Sequence, residues 1–117
     1  MRVKKIEIPI YYNNLIIVVP DTDDFSEVVK KYKIKEDVSG YGAFVWTREN
    51  KNNTIDYLIC IPQDCSNHLI AHEVVHLVNS LYINKGIQLD RHNDEPQAYL
   101  TGWFFKEIEK FLITKSN

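Results

Sequence analysis

The chain has 117 residues, 44 % of them apolar and 26 % charged, with a formal net charge of -2 at neutral pH. That size and balance fit one globular domain, 1–117, able to bury a real core, and they exclude disordered and fibrous classes. With 14 Lys and Arg against 16 Asp and Glu, the charge argues against nucleic acid as a partner, because such surfaces carry a clustered basic excess.

The N-terminal stretch MRVKKIEIPIYYNNLIIVVP starts basic and becomes apolar, but Glu7, Pro9 and the Asn13-Asn14 pair interrupt it and no small-residue cleavage site follows. It is not expected to act as a signal peptide. Nor does any stretch approach the roughly 18 to 20 apolar residues of a membrane-spanning helix, so a cytoplasmic chain without a membrane partner is expected. Cys60 and Cys65 are then expected to be reduced, and they lack the spacing of a zinc knuckle.

In chain order, residues 2–11 and 14–19 are rich in Ile, Val and Tyr and flank the asparagine pair, which predicts a β-hairpin turning there. DTDDFSEVVKKY offers Asp21, Thr22 and Asp23 as helix caps and repeats Phe25, Val28, Val29 and Tyr32 at helical spacing, which predicts an amphipathic helix. A second hairpin is predicted from strands near 41–48 and 54–61 around the polar ENKNN loop, with Pro62 ending it. Asp64 or Ser66 caps the next helix, expected over 66–84 with Gly86 as its stop. Ile70, Val74, Val75, Leu77, Val78 and Leu81 cover most directions of that helix, the pattern of one buried within its domain. After the loop GIQLDRHND, Asn93 or Asp94 caps a last helix through about Leu112, with Pro96 tolerated in its first turn. The aromatic run Trp103, Phe104 and Phe105, with Phe111, reads as core.

The helix from 66 to 84 carries HLIAHEVVHLVN, in which His72, Glu73 and His76 interrupt an apolar run. Burying a polar group without a partner costs on the order of 2 to 7 kcal/mol, so a compensating partner is expected. Residues four apart lie one above the other on a helix, about 5.4 Å along the axis, so His72 and His76 can reach one ion. Zinc takes histidine nitrogen at about 2.0 to 2.1 Å, and a catalytic site takes three protein ligands with water in the fourth position. Glu73, beside His72, is too close to chelate the same ion and is placed to accept a proton from water. A third histidine at the extended-motif position is ruled out because that position is Tyr82, and Asn79 stands where that pattern has glycine. A carboxylate from a following helix is the other solution, and Glu95 opens one.

At this point HEVVH, His72 to His76, followed by NDEPQAY, Asn93 to Tyr99, resembles the gluzincin superfamily of zinc metallopeptidases. Glu95-x-x-Ala98 is similar to the Glu-x-x-Ala of its short, single-domain members, the ImmA/IrrE-type proteases and the small zincin-like proteins of tailed phages. The likeness covers residues 66–105; across 1–65 it rests on the order of elements. Val75 and Tyr99 depart from the ImmA/IrrE pattern, which has a small residue and Asn there. The resemblance implies zinc held by His72, His76 and Glu95, Glu73 as general base, and a protein or peptide substrate. It also implies a host-cytoplasmic or virion setting if the chain is phage-encoded. Gluzincins supply a His, Tyr or Arg to stabilise the oxyanion, and His92, Arg91 and Tyr99 are the candidates. Asp90 and Asp94 are candidates to orient a ligand histidine, although turn and cap roles also account for them. His68 reads as a surface residue.

The expected fold is α+β: a small, mostly antiparallel sheet with the HExxH helix packed against a C-terminal helix carrying the third ligand. The expected activity is peptide-bond hydrolysis, with a strand near Tyr41 to Trp46 pairing with an extended substrate. The rival from another class is a catalytically idle zincin-fold module used for structure or protein binding. A DNA-binding reading lacks a basic recognition helix, and the oligomeric state is not legible in the sequence.

Overall fold

The computed structural model describes residues 1–22 and 24–114. The elements in chain order are β1 (Arg2–Ile8), β2 (Asn13–Val19), α1 (Ser26–Tyr32), β3 (Phe44–Glu49), β4 (Ile55–Cys60), α2 (Asn67–Lys85) and α3 (Glu95–Ile113). The strands form one sheet in the order β1-β2-β4-β3. Both outer pairs are antiparallel, but β2 and β4 at the centre run parallel. The sheet is therefore mixed, with two of its three strand pairs antiparallel, as expected for a mostly antiparallel sheet, and one parallel pair that was not expected. A parallel pair needs a long crossover, and the chain between β2 and β4 supplies it through α1 and β3.

The central strands are apolar on both sides because both faces of the sheet are covered. Side chains alternate across a strand. Leu15, Ile17 and Val19 of β2 join Tyr57 and Ile59 of β4 in a core shared with α2 and α3. Ile16, Val18, Leu58 and Cys60 point the other way, into a second core closed by Phe25, Val28 and Tyr32 at α1. The result is α+β in three layers: α1, the four-stranded mixed sheet, then α2 and α3.

Two local expectations shift. The first hairpin turns at residues 9–12, where Ile10 and Tyr12 have φ of 76° and 56°, and the asparagines begin β2 instead. Asn13 is 2 % exposed; its Oδ1 accepts the Ile55 N–H at 3.0 Å, while Asn14 Nδ2 donates to Asp56 at 3.2 Å. Tertiary hydrogen bonds to β4 thus override the local turn preference of the pair. Helix α1 begins later than predicted, at Ser26, and the Asp24 carboxylate accepts the Ser26 N–H at 2.9 Å. Asp21 and Thr22 precede this point, and Asp23 lies outside the described residues.

Helix α2 stops as expected: Gly86 takes φ 67° and its N–H reaches the carbonyls of Ile83 and Tyr82, a left-handed closure that suits glycine. It is not apolar-buried all round, however. Ile70, Val74, Leu77, Val78 and Leu81 face the core, whereas Val75 is 54 % and Ile83 78 % exposed. The sheet and α3 cover only part of the helix, and the rest stays open. In α3, Leu100, Phe104 and Ile108 recur every four residues as its buried stripe. Trp103, Phe105 and Phe111 pack partly buried on the same core, as expected. Arg2 caps the far end of α3, donating to the Thr114 and Phe111 carbonyls at 2.7 and 3.3 Å, a cation placed where the helix dipole favours one. Among the described residues, no helix is long and apolar enough to cross a membrane.

Candidate functional site

Because α2 packs its buried stripe on the sheet, the neighbouring face that carries His72 and His76 is left open beside β3. Their rings lie 5.0 Å apart between centroids, at an interplanar angle of 73°. Together with Glu73 they line a cavity of about 290 Å³ whose other walls include Tyr41, Ala43 and Val45. Among the described residues, strand β3 pairs only with β4 and forms one edge of the sheet, so the cavity sits where a helix face meets a free strand edge.

The three polar side chains are not equivalent. Both histidines are exposed, while Glu73 is 6 % exposed. No side-chain hydrogen bond or ion pair joins Glu73 to another described residue, and its carboxylate opens onto the cavity. Asp56 shows how this chain treats a buried carboxylate with a structural role. It is 1 % exposed and accepts from Arg48 at 2.8 Å and Asn14 at 3.2 Å. Burial pushes the Asp56 carboxyl up, but those donors and the charge of Lys5 outweigh it and hold the group below its ordinary value. Register explains the geometry: Asn14, Asp56 and Arg48 lie in one cross-strand row of β2, β4 and β3. Glu73 has no such row.

The remaining sequence-predicted residues are not drawn into this cavity. Glu95, the first residue of α3, is exposed; so are His92, Arg91 and Asp94, and Tyr99 is 76 % exposed. Glu95 and Tyr99 are four apart and off the Leu100, Phe104 and Ile108 stripe by which α3 packs, so the packing that positions α3 turns them outward. Among the described residues, no group of three or more His, Cys, Asp or Glu side chains is arranged to hold a metal ion. The Asp90 carboxylate accepts the His92 backbone N–H at 2.9 Å, a local turn bond, and Asp94 occupies the cap position of α3 without a side-chain capping bond. His68 is exposed, with its Nε2 at 3.2 Å from the Ser66 hydroxyl.

Sequence reasoning missed a second cavity of about 350 Å³. It shares Tyr41, Phe44 and Val45 with the first and continues past Thr47 to Glu36 and Asp37. Two acidic residues in a loop carry no local signal that a groove will form beside them. Cys60 is buried and Cys65 half-buried, both as free thiols.

No family model, no curated protein and no solved structure matches the chain.

Proposed function

We propose that the protein is a zinc-dependent metallopeptidase of gluzincin type that hydrolyses a peptide bond in a protein or peptide substrate. The observation that carries the reading is the convergence of Glu73, a residue 6 % exposed with no hydrogen-bond partner among the described residues, and two exposed imidazoles on one cavity at a free strand edge.

The donor set fits zinc in part. His72 and His76 offer two imidazoles one helical turn apart, the ligand type zinc prefers. Glu95 is the proposed third ligand, exposed and at the start of its helix. When bound, zinc polarises a carbonyl and lowers the pKa of water toward about 7. Glu73 accepts the proton of the attacking water and returns it to the departing amine. The unpaired edge of β3 aligns an extended substrate by main-chain hydrogen bonds, and Ala43 and Val45 form the wall of the cavity facing the histidines. His92, Arg91 and Tyr99 are the proposed sources of an oxyanion donor.

The test is Glu73→Gln, which is nearly isosteric and keeps hydrogen-bonding capacity. Zinc content and folding should match wild type, while cleavage of a natural protein partner should fall by about 10² to 10⁴, the usual cost of losing a general base. Equal treatment of every partner by both proteins, with binding and no cleavage, overturns the peptidase reading in favour of an idle module.

A further inference from the structure

The two cavities along β3 form one groove with a chemical gradient. Its first end holds His72, Glu73 and His76; its second is lined by Glu36 and Asp37, with Thr47 and Ser80 between the walls. Among the described residues, no Lys or Arg lines either cavity. Arg48, next along β3, has its charge taken up by Asp56 at 2.8 Å. Both loop carboxylates are pinned: Glu36 accepts the Trp46 indole N–H at 3.2 Å, and Asp37 accepts from the Ser39 hydroxyl at 2.7 Å and its N–H at 3.0 Å. Those two bonds hold the Asp37 carboxyl below its ordinary value. The groove therefore presents a main-chain template along β3 and fixed negative charge at one end.

We propose that this groove selects an extended peptide segment carrying a Lys or Arg, seated so that its cation meets Glu36 and Asp37 while its backbone runs along the β3 edge toward Glu73. The inference rests on the peptidase reading for its substrate class, since it names which peptides that site takes. Ala43 lines only the histidine end and Thr47 only the acidic end, so the basic residue lies several positions along the peptide from the bond held at Glu73. Glu73, 6 % exposed and without a side-chain hydrogen bond to another described residue, lines the other end of the groove.

The experiment measures binding separately from cleavage. Acetylated, amidated heptapeptides of Val and Thr, with Lys or Glu moved through each position in turn, are titrated into the Glu73→Gln protein by calorimetry at low salt. At one position the Lys peptide should bind about tenfold more tightly than its Glu counterpart, the size expected for a pair of partly exposed charges together with relief of like-charge repulsion. Glu36→Gln with Asp37→Asn keeps the hydrogen bonds to Trp46 and Ser39 but removes both charges. In that protein the preference should fall to within about twofold, with unchanged thermal stability. Equal binding of both peptide sets, binding of neither, or a preference that survives neutralisation overturns the inference. A Lys preference in a protein that cleaves nothing leaves the groove assignment standing and removes the peptidase reading; cleavage with no charge preference does the reverse.

Discussion

His72 and His76 face the same cavity from successive turns of α2, their rings 5.0 Å apart and inclined at 73°. Both are exposed, so they contribute little to the core, and their replacement separates metal binding from folding. The purified protein should bind about one zinc per chain, measured by elemental analysis. At a hundredfold excess over the dissociation constant, zinc should stabilise the fold by about 2.7 kcal/mol. His72→Ala and His76→Ala should each abolish that shift while leaving metal-free stability within about 0.5 kcal/mol of wild type. No metal and no thermal shift in the wild-type protein would sink the assignment.

Glu95 is exposed at the first residue of α3, apart from the histidines. If it completes the coordination sphere, Glu95→Ala should weaken zinc binding more than Asp94→Ala or His92→Ala, since only the first removes a donor atom. Competition titration with a chelator ranks the three. A larger loss for either of the other variants reassigns the third ligand.

Asp56, within the sheet, provides a pH test. Its folded pKa lies below the ordinary value of 3.8, so the unfolded chain binds the proton more readily. The resulting stability is fully present above about pH 3.8 and is lost as pH falls through the lower folded value. Asp56→Asn should flatten that acid limb in denaturant titrations. Arg48→Ala, which leaves the buried carboxylate with fewer donors, should cost about 1 to 3 kcal/mol near neutral pH.

The thiols should differ in reactivity. Burial pushes Cys60 up to about 12 and raises Cys65 less, with the charge of Asp64 adding to the second. Thiolate is the nucleophilic form, so iodoacetamide at pH 8 should modify Cys65 slowly and Cys60 only on unfolding. Peptide mass mapping reads the result. Rapid labelling of Cys60 under native conditions would contradict its place beneath α1.

The sequence by itself determined the elements whose signals are local. The cap candidate Ser66 and the glycine at position 86 marked α2 to within a residue at each end, and the Asn93 or Asp94 cap with Pro96 marked α3 equally well. The adjacency of His72, Glu73 and His76 was also local, because helical spacing alone puts the two imidazoles on one face. Tertiary structure decided everything that depended on distant partners. Asn13 and Asn14 look like a turn until their side chains find Ile55 and Asp56 across the sheet. The parallel pairing of β2 with β4 could not be told from hairpin order, since apolar strands covered on both faces carry no mark of direction. Val75 counts as apolar in any window, yet where the sheet and α3 lie determines that it is exposed. The proposed site divides along the same line. His72, Glu73 and His76 follow from one helix, whereas the position of Glu95 depends on how α3 packs, and the acidic end of the groove depends on a loop folding back beside β3. Neither arrangement is encoded in the spacing of neighbouring residues.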